Sequence, residues 1–495
     1  MTSIGTHANK VYLTKIISLL FGFFIAGNLI GSVVFKSQPQ TPPSETVSER
    51  FESDVYIGGK SLSLRILLDE RREKEIASPE KFKFKTLEFA TSKRKRSSDD
   101  KSLPKVFRFK GRDAFVSSAF VDFRFRSCVM RTFMVHKSEE KHNLYCHIKI
   151  PSGTITLKSR QKDIFHEWPE NSLYLASAYY FEVPLTWKTK PNSAEFSLTP
   201  TGHRINVTLH SVAPHEAGIT DREARVGVCV KAIVGKYPEK SLVEWTEFHR
   251  VIGADVFMFY NASLTGPGNQ VLQYYVDEGI AEVTQFPLQK YILEFENQKQ
   301  HLNRGEKYST EQQTYLLSIL DCLYRYTNRF KYILVLDLDE LLTPTKQEKL
   351  IDLVKRGWKS MPPASGLMFK TGWYFSDFNQ DDFSQDSVLT MASKVIRTPI
   401  KDNQPKSVID TDKFLLANWH GVLTVPNSSG YLLNNFVPPD DGYIHHFRGN
   451  CIDKFYKKDC KVMLKEKERD SVLPRYAAKV KANVEKVLEL ISFEP

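Results

Sequence analysis

The order of apolar and polar residues divides the chain into stretches of different character. Residues 16–36 form a largely apolar run whose one charge is its last residue, and the run is long enough to span a bilayer. Residues 37–104 are rich in Ser, Pro, Glu and Lys, which is typical of a stem without a core. Residues 105–220 carry aromatic and β-branched runs between turn residues, and this pattern predicts a β-rich unit. From residue 221 onwards, strand patterns alternate with helical patterns.

The alternation is clearest before residue 340 and predicts an α/β fold. Pro238 occupies a favoured first position of a helix, apolar residues then recur at helical spacing, and Gly253 ends the helix. Further helices are predicted at 270–278, 309–329 and 476–491, and strands at 226–234, 256–260, 280–286, 332–336, 369–375, 394–397 and 419–425. Strands that alternate with helices imply a mostly parallel sheet. The glycine-rich motifs of dinucleotide and P-loop sites do not occur in the sequence.

The strand predicted at 332–336 leads directly into three carboxylates, Asp337, Asp339 and Glu340. Its short apolar run is typical of a buried parallel strand. If strand geometry continues, Asp337 and Asp339 point to the same side, because side chains alternate along a strand. Ligands of open α/β sheets bind at the carboxyl ends of strands, and two carboxylates suit Mg²⁺ or Mn²⁺ bridging to a diphosphate. The alternative is a strand that ends in solvated acids.

The charges around the apolar run predict its orientation. Lys10 and Lys15 precede it, which favours a cytosolic tail at residues 1–15 and a retained signal anchor at residues 16–36. A cleaved signal peptide is the alternative. We therefore expect a single-pass type II protein in the membrane of the Golgi or another secretory compartment, with the rest of the chain in the lumen. The net charge of +11 then faces membrane or glycan, and nucleic acid is excluded as a natural partner.

A luminal location also gives meaning to the cysteines. The chain has six of them, namely Cys128, Cys146, Cys229, Cys322, Cys451 and Cys460. Several pairings are possible. Proximity in sequence suggests one disulfide between the first two and another between the last two, which leaves the middle two as a pair. Buried free thiols are the alternative. N-glycosylation sequons, which suit a luminal glycoprotein, occur at Asn206, Asn261 and Asn427.

Several stretches of the chain resemble glycosyltransferase family 92. The resemblance is carried by residues 114–122, 243–254, 259–263 and 337–340, with weaker support from 393–396 and 446–448. It covers roughly residues 105–465, and the order and spacing of the stretches are more specific than any one of them. The resemblance implies a nucleotide-sugar-binding domain of the GT-A type at residues 221–495, preceded by the β-rich unit at residues 105–220.

The resemblance also implies a metal-dependent Asp-x-Asp site. Asp337 and Asp339 would hold Mn²⁺ against the diphosphate of the donor, where the metal would stabilise the departing UDP as a Lewis acid. His446 matches the late histidine of the family and is the candidate third ligand. His445 is the competing choice, because only one of two neighbouring residues on a strand faces a given site. A histidine without a metal is the alternative for His446.

Three more residues are candidates for contact with the donor or for positioning. Arg448 can pair with a phosphate in bidentate fashion, or it can form a surface salt bridge. Glu340 can position the acceptor or orient a metal ligand, or it can cap a helix. Glu244 lies on the helix after the first strand, where related transferases have donor-side acids, or it lies on a solvated helix face. Trp245 and Phe248 on the same helix are predicted core residues.

The candidates for the catalytic base lie in the acid-rich loop at residues 377–386. An inverting transferase needs a carboxylate that deprotonates the acceptor hydroxyl. Asp377 and Asp381 are the candidates, because the loop follows residues 372–375, where an aromatic side chain would help to hold an acceptor. A solvated loop is the alternative.

The sequence therefore predicts a type II glycosyltransferase that moves a sugar from a UDP-sugar to a glycan or glycoprotein acceptor. The characterised branch of the family transfers galactose in β linkage, so UDP-galactose is the expected donor. Two other classes remain. A haloacid-dehalogenase-like phosphatase would use Asp337 as nucleophile, although that motif normally lies on the first strand of its domain. A non-catalytic glycan-binding protein would keep the fold and would not need Asp339.

Overall fold

The computed structural model describes most of the chain from residue 107 onwards and two short segments before it. The described residues are 51–57, 60–66, 107–109, 114–125, 128–137, 142–150, 153–164, 174–183, 191–214, 218–288, 292, 304–346, 348–378, 388–426, 430–453 and 457–492. The predicted tail and anchor at residues 1–36, the candidate base Asp381 and the sequon at Asn427 lie outside these ranges. Within them, no helix combines the length and the apolar character that a membrane crossing needs.

The chain divides into two compact units. One consists of residues 1–51 and 65–80, and the other of residues 52–64 and 81–495. The first unit lies almost entirely outside the described residues. Apart from Phe51, Arg65 and Ile66, the described residues belong to the second unit.

Eleven of the described strands form the first sheet. They are β1 (Phe51–Ile57), β2 (Lys60–Ile66), β3 (Phe107–Arg108), β4 (Ala114–Asp122), β5 (Val129–Lys137), β6 (Tyr145–Ile150), β7 (Gly153–Lys158), β8 (Arg160–Asp163), β9 (Tyr174–Glu182), β10 (Ser193–Ser197) and β11 (Ile205–Val212). Their order is β2-β1-β7-β6-β10-β11-β4-β5-β9-β8, with β3 beside β4. Nine of them lie where the sequence predicts a β-rich unit. Strands β1 and β2 lie within the segment predicted as a stem, and β1 pairs with β7. The predicted domain boundaries stay a prediction.

The second sheet contains ten described strands. They are β12 (Val226–Val230), β13 (Ile233–Lys236), β14 (Val256–Thr265), β15 (Ala281–Gln285), β16 (Tyr332–Leu336), β17 (Glu340–Pro344), β18 (Ala364–Phe375), β20 (Lys401–Asp410), β23 (Leu432–Val437) and β24 (Gly442–Arg448). Four short strands form two further pairs, β19 (Ile396–Arg397) with β25 (Glu468–Arg469), and β21 (Leu416–Asn418) with β22 (Gly421–Thr424).

Six described helices accompany these strands. They are α1 (Glu239–Val251), α2 (Gly268–Asp277), α3 (Arg304–Tyr326), α4 (Leu350–Ser360), α5 (Lys457–Met463) and α6 (Pro474–Ser492). The predicted signals at the ends of α1 hold. Pro238 is the residue before its first turn, and Gly253 follows its end with a φ of +93°, a conformation that glycine adopts without strain.

The second sheet is mixed, and each of its antiparallel pairs involves β20 or β17. Its order is β13-β14-β12-β16-β20-β18-β24-β17, with β15 beside β14 and β23 beside β18. The strands joined by the predicted strand–helix alternation, β12 to β16, pair in parallel. β20 is antiparallel to both β16 and β18, and β17 is antiparallel to β24. This arrangement brings β20, β24 and β17 towards the carboxyl end of β16.

Side chains that alternate along the central strands enter two separate cores. Val228 of β12 and Leu334 of β16 pack on the face covered by α1, α2, α4 and α6. Cys229 and Val335 belong to a second core, which also contains residues of α3 and of β4, β5 and β9. α3 therefore packs on both sheets. Burial on both faces explains why β16 is apolar throughout.

The disulfides confirm two of the three suggested pairs. Cys229 of β12 bonds to Cys322 of α3, and Cys451 bonds to Cys460 of α5. The suggested disulfide between Cys128 and Cys146 is wrong, because both are free thiols. Cys128 directly precedes β5, whereas Cys146 is fully buried on β6, a strand that does not pair with β5. The thiol of Cys146 lies 3.3 Å from the sulfur of Met130. Proximity in sequence did not bring these two cysteines together in the sheet.

Candidate functional site

The carboxylates predicted as the site lie in a tight turn between β16 and β17. The N–H of Glu340 donates to the carbonyl of Asp337 at 3.2 Å, and the N–H of Asp337 donates to Oε2 of Glu340 at 3.0 Å. The buried indole N–H of Trp245 donates to the carbonyls of both residues, at 3.0 and 2.8 Å. Strand geometry ends at Leu336. Asp337 and Asp339 therefore do not lie on a strand, and the alternation of side chains along a strand does not place them on the same side.

Asp337 is a buried carboxylate held by two lysines. Its Oδ2 accepts hydrogen bonds from Nζ of Lys231 at 2.6 Å and from Nζ of Lys406 at 3.2 Å. Burial acts to raise the pKa of Asp337, but the two lysines outweigh it and hold the pKa well below its usual value. Burial acts to lower the pKa of each lysine, and the carboxylates outweigh it and raise that pKa. All three groups therefore stay charged near neutral pH.

Asp339, Glu340 and His446 bring their ligand atoms together, and we call these three residues the candidate metal group. One ligand atom of each residue lies within 4.8 Å of the others. Nε2 of His446 lies 3.6 Å from Oδ2 of Asp339, and Nδ1 lies 3.1 Å from Oε1 of Glu340. The strand register produces this arrangement, because Glu340 on β17 is directly opposite His446 on β24. Burial acts to raise the pKa of Asp339, and His446 and Arg448 lower it to about 2.

Several buried atoms at this site have no hydrogen-bond partner in the part of the chain that the structure describes. They are Oδ1 of Asp337, Oε1 of Glu340 and both ring nitrogens of His446. The close approaches among these side chains have the distance of ion pairs without the angles of hydrogen bonds. Buried polar atoms are nearly always paired in native proteins. Oxygen and nitrogen atoms that lack a hydrogen bond and lie in one place therefore fit a bound cation, and carboxylates with one imidazole suit a divalent metal such as Mn²⁺.

Lys406 and Lys231 supply two of the cations that balance the carboxylates. Lys406 is 2% exposed and lies 2.8 Å from Oε1 of Glu340 as well as beside Asp337. Lys231 keeps 27% of its side chain exposed, and its ammonium lies over the ring of Tyr315 at 4.9 Å. Lys406 is therefore an internal counter-charge, whereas Lys231 is accessible to a ligand.

Arg448 supplies the third cation. Its Nη1 lies 2.8 Å from Oδ2 of Asp339, and its side chain is 32% exposed. The sequence allows either a phosphate contact or a surface salt bridge for Arg448, and in the structure Arg448 pairs with Asp339 of the candidate metal group. Three carboxylates and three cations meet at this end of the sheet, so their formal charges cancel.

His446, and not His445, faces Asp339 and Glu340. The Nδ1 atom of His445 lies 2.8 Å from the hydroxyl of Tyr374 and 3.1 Å from Oδ2 of Asp470. The ring of His446 stacks instead on Trp373, with centroids 4.0 Å apart. Alternation along β24 separates the two histidines, so the choice between them follows from the register of the strand.

Glu244 lies inside the fold and holds a loop through hydrogen bonds. It is fully buried, so its assignment to a solvated helix face is wrong. Its carboxylate accepts hydrogen bonds from the N–H groups of Thr390, Met391 and Ala392 at 2.6 to 3.1 Å, and from the hydroxyl of Thr390 at 2.6 Å. These contacts occupy both oxygens. Glu244 therefore positions the loop at residues 390–392, and no described contact assigns it to the donor.

The candidate bases are not brought to the candidate metal group. Asp377 is exposed and accepts a hydrogen bond from the N–H of Cys451 at 2.6 Å. None of its described contacts reaches Asp339 or His446. Asp381 lies outside the described residues. The base therefore stays a prediction for both residues.

Three residues of the site, Lys231, Lys406 and Tyr237, are not among those predicted from the sequence. Lys231 directly follows β12, so the rule that ligands bind at the carboxyl ends of strands could have found it. Lys406 lies within β20, 69 residues after Asp337, and no local signal marks it. The hydroxyl of Tyr237 donates to the carbonyl of Leu338 at 2.6 Å and so supports the turn that carries the carboxylates.

The fold is of the mixed α/β class, and the site lies just after the carboxyl end of β16, which is where ligands of open α/β sheets bind. Residues 224–484 match glycosyltransferase family 92. Because this match covers more than half of the chain, the chain belongs to glycosyltransferase family 92. It is therefore a glycosyltransferase, a class that implies a nucleotide-sugar donor and a glycan acceptor.

Other comparisons add little to this assignment. No curated protein matches the chain. Among solved structures, the chain is similar to the amylomaltase from Corynebacterium glutamicum at 12% sequence identity and a TM-score of 0.14. That similarity covers 29% of this chain and 20% of the amylomaltase chain. At this level it says nothing about the fold or the activity of the present protein.

Proposed function

We propose that the protein is a metal-dependent glycosyltransferase of the GT-A type, which transfers a sugar from a UDP-sugar to a glycan or glycoprotein. The observation that carries this proposal is the group of half-buried Asp339 and buried Glu340 and His446, whose ligand atoms lie within 4.8 Å of one another. Family membership supports the sugar transfer, and this group supports the metal dependence. UDP-galactose is the first donor to test, on the resemblance to the characterised branch of the family.

The candidate metal group fits a divalent cation, and Mn²⁺ is the expected one. Asp339, Glu340 and His446 would hold it, and the unpartnered Oδ1 of Asp337 leaves that residue available as a further ligand. A cation bound there supplies a Lewis acid for the departing diphosphate. The turn that carries the carboxylates is fixed by Trp245, so the ligands are positioned before any substrate arrives.

The two accessible cations are the groups that would receive the donor diphosphate. Lys231 and Arg448 now pair with Asp337 and Asp339, and their side chains are 27% and 32% exposed. Phosphate oxygens offer them charge-assisted hydrogen bonds of the same kind. Lys406 stays with Asp337 and Glu340, because it has no access to solvent. The donor therefore meets a site whose internal charges cancel and whose outer cations can change partners.

The location of the enzyme is proposed from the sequence. The apolar run at residues 16–36, preceded by Lys10 and Lys15, supports a type II anchor, and the catalytic part then lies in the lumen of the Golgi or another secretory compartment. The two disulfides support an oxidising compartment.

The test is the release of UDP from a panel of UDP-sugars by the full-length protein, with Mn²⁺ and with EDTA. We expect release from at least one donor in Mn²⁺ and its loss in EDTA. Asp339→Asn should abolish it, whereas Asp352→Asn, at an exposed position on α4, should not. Release that is equal in EDTA, or equal in the Asp339→Asn variant, would contradict the metal-dependent mechanism. Absence of release from every donor would contradict the proposed activity.

A further inference from the structure

A cavity of about 330 Å³ is lined in part by Trp373, whose ring also stacks on His446 of the candidate metal group. Its walls come from β18, β20, α5 and the segments beside them, and consist of Trp373, Thr398, Pro399, Lys401, Asn403, Asp459, Val462, Met463 and Glu466. Ligand sites in proteins usually measure roughly 300–1,000 Å³. This cavity is therefore at the small end of that range and suits one or two sugar rings better than a nucleotide.

The cavity and the candidate metal group lie along one row of side chains across the second sheet. His446 on β24 is the register partner of Trp373 on β18, and their rings stack at 4.0 Å. The indole N–H of Trp373 donates to Oδ1 of Asn403, on the next strand, at 3.3 Å. Two strand spacings of about 4.8 Å each place β20 about 10 Å from β24. A ligand in the cavity would therefore be separated from His446 by the ring of Trp373.

The chemistry of the cavity favours a neutral, amphipathic ligand. Asn403, Asp459 and Glu466 offer amide and carboxylate groups that hydrogen-bond to hydroxyls. Val462 offers apolar surface, and half of its side-chain area is exposed. Sugars present hydroxyls at their edges and C–H groups on their faces, so they match both kinds of wall.

The charge of the cavity argues against a nucleotide. Its walls contain two carboxylates, Asp459 and Glu466, and one ammonium, Lys401. Lys401 already pairs with Glu466 at 3.2 Å. A diphosphate in this cavity would face a net negative wall, whereas Lys231 and Arg448 offer it cations elsewhere in the site.

The walls of the cavity are held in place by contacts outside it. The disulfide between Cys451 and Cys460 ties α5 to the segment after β24, and Asp377 accepts a hydrogen bond from the N–H of Cys451. The backbone N–H of Trp373 donates a hydrogen bond to the hydroxyl of Thr398 at 3.0 Å. The cavity is therefore a feature of the folded chain that is formed before a ligand binds. Asp377 therefore helps to hold the segment that carries Cys451.

We infer that this cavity binds the terminal saccharide of the acceptor. The donor diphosphate would be held by Lys231 and Arg448, and the acceptor would approach from the side of Trp373 and Asn403. This inference rests on the proposed function, because an acceptor site has meaning only for a transferase. It adds the class of ligand, a neutral saccharide, and the residues that would contact it.

The first experiment blocks the cavity and measures saccharide binding without any transfer reaction. The probes are the p-nitrophenyl glycosides of galactose, glucose, mannose, fucose and N-acetylglucosamine, and the readout is saturation-transfer NMR on the full-length protein. Val462→Trp fills the mouth of the cavity, and Leu490→Trp is the matched control at an exposed position on α6. We expect at least one glycoside to bind the wild type and the control and to lose its signal with Val462→Trp. No binding by the wild type, or equal binding by Val462→Trp, would overturn the inference.

A second variant keeps the test decisive if Val462→Trp does not fold. Glu466→Ala removes an exposed carboxylate of the cavity, and Glu485→Ala is its exposed control on α6. We expect the Glu466→Ala variant to raise the KM for the glycoside acceptor by roughly tenfold, more than any change in the KM for the donor. An equal rise in both constants would contradict a specific acceptor contact.

Failure of the inference can be told apart from failure of the proposed function. If UDP release depends on the metal and both cavity variants bind glycosides as the wild type does, the acceptor site lies elsewhere and the transferase proposal stands. If glycosides bind the cavity and no donor releases UDP, the cavity is a saccharide site, the metal-dependent mechanism is wrong, and the inference of an acceptor site falls with it.

Discussion

Glu340 and His446 are register partners on two antiparallel strands, and only 3.1 Å separates Oε1 of the glutamate from Nδ1 of the histidine. The two residues are far apart in the sequence, and the pairing of β17 with β24 alone brings them together. Glu340 also lies 2.8 Å from Lys406. It therefore connects a candidate metal ligand to the internal counter-charge of the site.

The first prediction concerns this connection. Replacing Glu340 with Gln removes a charged ligand and the counter-charge of Lys406, and we expect the affinity for Mn²⁺ to fall by at least about tenfold. The measurement is isothermal titration of the full-length protein with Mn²⁺. Glu485→Gln on the exposed face of α6 is the control and should leave the affinity unchanged. Unchanged affinity in Glu340→Gln would exclude this residue from the metal site.

The second prediction concerns the buried cation Lys406. Lys406→Met leaves Asp337 and Glu340 as buried carboxylates with less compensation, and loss of one partner of a buried ion pair costs about 3–5 kcal/mol. We expect a lower melting temperature in EDTA and a partial recovery in Mn²⁺, because the metal would replace the missing positive charge. Lys355→Met, at an exposed position on α4, is the control. A melting temperature that Mn²⁺ does not raise would argue against a cation at this place.

The third prediction concerns the loop held by Glu244. In Glu244→Gln an amide group would face the backbone N–H donors of residues 390–392, and each hydrogen bond to a charged group contributes roughly 1.5–3 kcal/mol. We expect faster cleavage of this loop in limited proteolysis and a lower melting temperature. Glu278→Gln, just after α2 at an exposed position, should behave as the wild type. A loop that resists proteolysis equally in both variants would show that Glu244 is not its anchor.

The fourth prediction concerns the thiols. Alkylation of the denatured, unreduced protein should add two adducts, on Cys128 and Cys146, because the other four cysteines are in disulfides. Intact mass and peptide mapping give the count and the positions. Replacing Cys229 and Cys322 together with Ser should cost about 2–5 kcal/mol. A protein without alkylated cysteines would show that the first two also pair.

The fifth prediction concerns pH. His249 is buried behind Trp245, where its Nδ1–H donates to the carbonyl of Trp245 at 2.8 Å. Burial lowers the pKa of His249 to about 3, from an ordinary value of 6.5. Below pH 6.5, His249 therefore binds a proton in the unfolded chain but not in the folded chain. The free energy of unfolding then falls as the pH drops from 6.5 towards 3. In the His249→Phe variant, the melting temperature should depend less on pH between 6.5 and 3. A pH dependence equal to that of the wild type would mean that other groups cause it.

The elements that local patterns mark were predicted well. Pro238 directly precedes α1 and Gly253 follows its end, and the apolar run at 332–336 is strand β16. Trp245 and Phe248 are fully buried, as predicted. These features depend on neighbours in sequence, such as the spacing of apolar residues and the conformations that proline and glycine allow.

The partners of the site could not be predicted in the same way. Lys231 and Lys406 lie 106 and 69 residues from Asp337. They reach it because β12 and β20 flank β16 in the sheet, one parallel and the other antiparallel. Strand order is set by the packing of the whole domain, and the sequence of any one strand carries little information about its neighbours.

By itself, the sequence determined the class of the protein, the strand that ends in carboxylates and the candidates Asp339, Glu340, His446 and Arg448, because motifs and periodicity are local properties. Only the tertiary structure decided how those candidates are used. It turned Asp337 towards two lysines, placed Glu340 against His446, gave Glu244 to a loop and left Cys128 and Cys146 unpaired. The physical reason is that contacts between distant residues depend on strand order and register, which only the packed fold establishes.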